Sequence, residues 1–150
     1  MNSALLELEA PALPISVMVA GRSYLAVNQG IIGGVITKIN LDTINFNTGG
    51  GFLSADRFTV QTAGYYWFIG SVLFSAAAGQ YTNVYVYING GVTIATSGRN
   101  RNMAADSSME AVGLRFLNVG DFLEVFARGS ANWTAIGSQS ETFLSILGPM

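Results

Sequence analysis

Seven carboxylates beyond the first ten residues are the side chains best suited to acid–base chemistry: Asp42, Asp56, Asp106, Glu110, Asp121, Glu124 and Glu141. Glycoside hydrolysis would need two of them converging at roughly 5–10 Å. They are dispersed along the chain, and Asp121, after Asn118-Val119-Gly120, reads as a turn residue. The chain has no His and no Cys. That removes a Ser-His-Asp triad, a thiol nucleophile, a disulfide framework and a Cys/His zinc site. Asp106-Ser107-Ser108-Met109-Glu110 holds two carboxylates but lacks the closely spaced oxygen ligands of a calcium loop. The expectation is a protein that is not an enzyme and carries no cofactor and no metal.

Binding chemistry is better represented. Arg99-Asn100-Arg101-Asn102 is the one local cationic cluster, read as part of the long loop after Thr96. Its planar guanidinium groups suit a carboxylate, a phosphate or an acidic sugar. Trp133, in the loop after Gly129-Ser130, is read first as core or interface packing and second as an aromatic platform for a sugar or partner. These five residues are the candidates for partner or glycan contact. Gly49-Gly50-Gly51 lacks the Lys-Ser/Thr of a phosphate loop and reads as a turn. Asn132-Trp133-Thr134 is formally a glycosylation sequon, read here as chance.

Composition narrows the function class further. Of 150 residues half are hydrophobic, while 7 basic and 9 acidic residues are the whole complement of charge. An average domain of this length carries roughly 37 charged residues, on a surface of about 7,300 Å². So thin a cover of charge, with a mean hydropathy of +0.40, predicts that part of the surface is buried against other copies. A net charge of −2 argues against a phosphate-neutralising face for nucleic acid. The most apolar stretch, residues 65–78, is too short to span a membrane and includes Gly70, Ser71 and Ser75. Glu7 and Glu9 stand where a secretion signal needs positive charge, and Pro11 and Pro14 interrupt its apolar part.

The elements that position these residues have a period of two. In Asn83-Val84-Tyr85-Val86-Tyr87-Ile88-Asn89 the aliphatic side chains take one face of a strand and the two tyrosines the other. Asn89-Gly90 then supplies a hairpin turn, and Val92-Thr93-Ile94-Ala95-Thr96 returns. Arg57-Phe58-Thr59-Val60, residues 65–69, 110–117, 122–127 and 143–147 read as further strands. Residues 35–41 and 43–46 read as a pair or as one bent strand. No convincing helix appears, so the fold class is all-β, an antiparallel jelly-roll sandwich of about ten strands. Residues 1–30 read as an apolar N-terminal arm, with a possible strand at 15–20 and a flexible junction at 29–34, and residues 31–150 as the body.

Four pieces also carry a resemblance. Phe46-Asn47 precedes a Gly-rich loop ending at Phe52; Phe58-Thr59-Val60 leads to Gly64-Tyr65-Tyr66-Trp67-Phe68; Leu117-Asn118-Val119-Gly120-Asp121-Phe122-Leu123-Glu124-Val125 forms a hairpin; and Phe143-Leu144-Ser145-Ile146-Leu147 comes just before Pro149. In this order they resemble the globular-head domain of complement one-q, within the tumour-necrosis-factor-like jelly-roll superfamily. The departures are Thr62-Ala63 where a proline often stands, Ser145 in place of a glycine, and no collagen-like stalk. The resemblance implies a ten-strand jelly roll forming a homotrimer about an axis lined by apolar and aromatic side chains. Tyr65, Trp67, Tyr85, Tyr87, Phe116 and Phe122 are the trimer-interface candidates. A trimer of this type lacking a recognisable secretion signal and stalk leads to the expectation of a bacteriophage virion structural protein, assembled in the host cytoplasm. Within that class the expected role is a capsid decoration (cement) protein. It would clamp the major capsid protein with its arm through Leu5, Leu6, Leu8, Ile15, Val17 and Val19. The alternatives are the receptor-binding head of a tail or head fibre, holding a host-surface glycan, and a secreted cytokine- or complement-like ligand.

Overall fold

The computed structural model describes residues 18–75, 79–100 and 106–150, and for residues 92–95 and 97–100 the backbone alone. Among the described residues there is no helix. The strands are β1 (Val19–Tyr24), β2 (Gln29–Ile31), β3 (Thr37–Lys38), β4 (Thr43–Thr48), β5 (Phe58–Thr59), β6 (Gly64–Ser75), β7 (Tyr81–Ile88), β8 (Val92–Asn100), β9 (Ser107–Leu117), β10 (Phe122–Gly129), β11 (Trp133–Ala135) and β12 (Phe143–Gly148). The first sheet runs β4-β1-β12-β6-β9, with β11 and then β2 continuing beside the far end of β6. In the second the order is β3-β10-β7-β8, and β5 also lies against β10. Every pairing is antiparallel.

Alternation explains why the two sheets close on each other. Val84, Val86 and Ile88 of β7 are buried, as are Leu123 and Val125 of β10. Facing them from the first sheet are Tyr66, Phe68, Val72 and Phe74 of β6 with Leu144 and Ile146 of β12. Both sheets thus bury one side-chain parity against the other, the arrangement of a sandwich. At Gly70 the sheets approach so closely that a Cβ would lie 2.7 Å from Val86 Cγ2. The β7–β8 hairpin turns on Asn89 and Gly90, with φ of 52° and 73°, the left-handed pair of a type I′ turn. Asn89 Nδ2 donates to Asp121 Oδ1 at 2.9 Å, and Asn118 N donates to Asp121 Oδ2 at 2.8 Å. These bonds, the one from Asn89 first, hold the Asp121 carboxyl below the ordinary carboxylate range. Asp121 is therefore a turn residue that ties two loops together.

Three expectations change. Residues 35–41 and 43–46 are neither a pair nor one strand: β3 joins β10 in the second sheet and β4 joins β1 in the first. The chain crosses between the sheets at Ile39 and Leu41, both buried, and the Asp42 carboxylate fixes the crossing by accepting from Ala26 N at 2.8 Å. The junction at 29–34 contains β2, which pairs with β11. The boundary at residue 30 cuts through the body, because β1 sits inside the first sheet between β12 and β4. Its Val19 is 4% exposed, so that side chain is core and not a clamp. Leu5, Leu6, Leu8, Ile15 and Val17 lie outside the described residues.

Candidate functional site

The outward face of the first sheet follows from register. In an antiparallel ladder, residues directly opposite each other point to the same side. One row across the five strands reads Thr48, Ala20, Leu147, Trp67, Leu114, and the next Phe46, Arg22, Ser145, Ile69, Val112. Tyr65 and Phe116 oppose each other at one end of the face, their rings edge-on with centroids 5.4 Å apart. Tyr65, Trp67, Val112, Leu114 and Phe116 are between 38% and 61% exposed. An exposed apolar patch contiguous over several strands is the signature of a surface that another molecule covers.

Two charged side chains stand in these rows. Arg22, half-buried on β1, lies over the Phe143 ring at 3.8 Å from its centroid, and its Nε finds no acceptor among the described residues. Burial pulls its guanidinium below the ordinary arginine range. Glu110 is exposed on β9, opposite Ser71, in the row that continues through Phe143 to Tyr24.

The outward face of the second sheet is of different character. Tyr87 stacks on Phe126 at 4.5 Å between centroids, with Tyr85 tilted against Tyr87. Beside them Glu124, whose side chain is 4% exposed, accepts from Lys38 Nζ at 2.6 Å and from Arg57 Nε and Nη2 at 3.0 and 2.8 Å. Lys38 also donates to Asp56 at 2.6 Å, and Arg57 lies over the Phe122 ring. Burial works against the charges of Lys38 and Asp56. Their mutual hydrogen bond, together with Glu124 for Lys38 and Ser54 for Asp56, outweighs it, so Lys38 titrates above and Asp56 below the ordinary value. Four charges are consumed here in holding β3, β5 and β10 together.

The six aromatic candidates therefore divide. Tyr65, Trp67 and Phe116 come together on the first sheet, while Tyr85, Tyr87 and Phe122 lie on the opposite side of the sandwich. One flat interface cannot take both sets. Trp133 is 5% exposed, packed edge-on against Phe74 at 5.2 Å in strand β11 between β2 and β6. It is core, and the exposed-platform reading fails because the loop expected there is a strand. Arg99 and Asn100 belong to β8, opposite Thr82 and Tyr81, instead of the expected loop; Arg101 and Asn102 lie outside the described residues. Ile69, Val112, Leu114, Arg22 and Phe46 were missed by sequence reasoning. The signal for two of them was present: Val112 and Leu114 share a parity with Phe116, and the residues preceding each of the two, Ala111 and Gly113, are small. Among the described residues no group of three or more carboxylates could hold a metal ion.

No family model matches the chain and no curated protein matches its sequence. Solved structures do share its fold. Murine APRIL superposes with a TM-score of 0.65 at 20% identity, over 87% of this chain and 98% of that one. The Eiger TNF of S. frugiperda gives 0.63 at 10% identity, over 88% and 92%. The globular domain of zebrafish complement 1qA gives 0.58 at 8% identity, over 87% and 95%. The fold is thus the jelly roll shared by tumour-necrosis-factor and complement one-q proteins, in agreement with the resemblance read from the sequence.

Proposed function

We propose that this chain is a non-enzymatic binding module that works as a homotrimer, its copies joined through the outward face of the first sheet. The observation that carries the reading is the apolar surface made by Tyr65, Trp67, Ile69, Val112, Leu114 and Phe116 on adjacent strands. It accounts for the shortage of charge, and the fold neighbours named above support it. The second sheet, with its aromatic ladder and self-satisfied ion cluster, stays outside the assembly and is free to meet a partner. Of the finer roles, a ligand-type role draws support from the tumour-necrosis-factor, APRIL and complement proteins that share the fold. The capsid-clamp role has lost Val19 from its contact set.

Light scattering across a wide dilution series tests the reading. The expected mass is near 48 kDa, three times the 15.9 kDa chain. Leu114, 61% exposed in the single chain, would gain about 1–2 kcal/mol on being covered, given the 1.5–3 kcal/mol of a fully buried leucine. Three such interfaces make L114A about 10²–10⁴-fold weaker in trimer formation. The same change at Tyr87 leaves the mass unchanged. A mass near 16 kDa for the unaltered protein at every concentration would remove the trimer.

A further inference from the structure

We infer, on the basis of that trimer reading, that Arg22 of one copy and Glu110 of the next form an ion pair across the interface and join the copies head to tail. The two residues stand toward opposite sides of one face, Arg22 on β1 and Glu110 on the edge strand β9, with β12 and β6 between them. Three strand spacings and an offset of two residues put them on the order of 15 Å apart. Among the described residues neither makes an ion pair within its own chain.

Covering this face removes both charges from water. An arginine buried without a carboxylate opposes assembly, whereas a matched pair restores the balance and fixes register. Arg22 is poised for such a partner, because its guanidinium lies over the Phe143 ring and, among the described residues, no oxygen accepts from Nε. A closed ring of identical copies brings unlike patches together. The β9 side of one copy therefore meets the β1–β4 side of its neighbour, and Glu110 arrives at Arg22. Packing β9 against β9 would instead set Glu110 beside Glu110.

The test is a charge-swap series on the full chain: R22E, E110R and R22E/E110R. Light scattering is measured on dilution, with a thermal melt at fixed concentration confirming that each variant folds. Each single change makes two like charges face each other at every interface, and is expected to weaken the trimer at least about a hundredfold. The double variant exchanges the charges and is expected to recover most of that loss. Mixing the two single variants one to one adds a geometric readout. In a three-membered ring any mixed arrangement retains one like-charged contact, so recovery is partial; an even-membered ring would recover fully, which would overturn the three-copy reading. Glu110 is exposed, so E110R keeps the series decisive even if R22E folds poorly. A trimer that survives both single changes unweakened, or a double variant no better than the singles, overturns the ion pair and leaves the trimer standing. A wild-type chain that is monomeric throughout overturns the trimer reading, and the ion pair with it.

Discussion

Glu124→Gln is the substitution whose outcome the second sheet specifies most closely. The side chain is 4% exposed, and its Oε1 receives three donors, one from Lys38 and two from Arg57. Glutamine keeps the shape and one acceptor oxygen but removes the negative charge. Charge-assisted hydrogen bonds are worth roughly twice neutral ones, about 1.5–3 against 0.5–1.5 kcal/mol. The naive loss over three bonds is therefore about 3 kcal/mol. The Lys38 and Arg57 side chains are 24% and 43% exposed, and Lys38 keeps Asp56, so water and the second carboxylate screen part of it. The expected net destabilisation is about 2 kcal/mol, a fall in Tm of about 4–8 °C for a chain of this size. Denaturant unfolding at fixed protomer concentration measures it, since assembly would otherwise contribute to apparent stability. A double-mutant cycle with K38M separates the Lys38 share. A Glu124→Gln chain within 0.5 kcal/mol of wild type would refute the view that this cluster pins β3 and β5 to β10.

Two members of that cluster, with the Asp121 turn and buried Tyr66, set the pH limits. Asp56 and Asp121 titrate below their unfolded values, so their contribution is present above the unfolded carboxylate pKa and is lost as pH falls through the folded one. Lys38 is raised, and so is Tyr66, driven up by burial against the opposing bond to Thr62 O. Their contributions hold below the unfolded values and disappear as pH rises through the folded ones; melts of K38M and Y66F above pH 10 should each show a smaller alkaline loss than wild type. Trp133→Phe should cost little stability, because the buried Nε1 has no acceptor among the described residues to lose while the ring contact with Phe74 is kept; calorimetry checks it, and a loss beyond about 3 kcal/mol would mean the indole volume dominates. At Asn89, Gly keeps the positive φ and Ala does not, so N89A should be less stable than N89G by about 1 kcal/mol in urea unfolding. A chain beginning at residue 31 lacks β1 and should give no cooperative melt, whereas retention of a wild-type transition would show that β12 does not need β1 beside it.

How far the sequence announced this molecule depended on the range of the interactions. The β7–β8 hairpin was legible because its alternation, its Asn-Gly turn and its return strand are neighbours in the chain. The Asn118 to Asp121 turn was legible for the same reason. Strands β3 and β5, two residues each, carry no period at all and exist because β10 lies beside them. Glu124 sits between Leu123 and Val125 with nothing nearby to mark its partners, which are 86 and 67 residues away. The aromatic interface candidates were recognisable as strand residues, but alternation tells which side of its own strand a residue takes, not which sheet the strand joins. Tyr65 and Tyr85 therefore looked equivalent until pairing put them on opposite sides of the sandwich.

The distribution of charge connects fold to function more closely than its total does. Lys38, Asp56, Arg57 and Glu124 neutralise one another on the second sheet, which keeps that side of the molecule structured without help. The first sheet's outward rows keep one cation and one anion, separated by two strands and set among Trp67, Leu114, Val112 and Phe46. Such a face is poorly suited to water and, because its charges are of opposite sign at opposite sides, well suited to another copy of itself in the unlike-to-unlike sense. An unrelated apolar surface would cover the hydrophobic rows but strand Arg22 and Glu110 without partners. A second copy of this chain answers both requirements at once, and the pair of charges therefore favours self-association over any purely apolar occupant of the face.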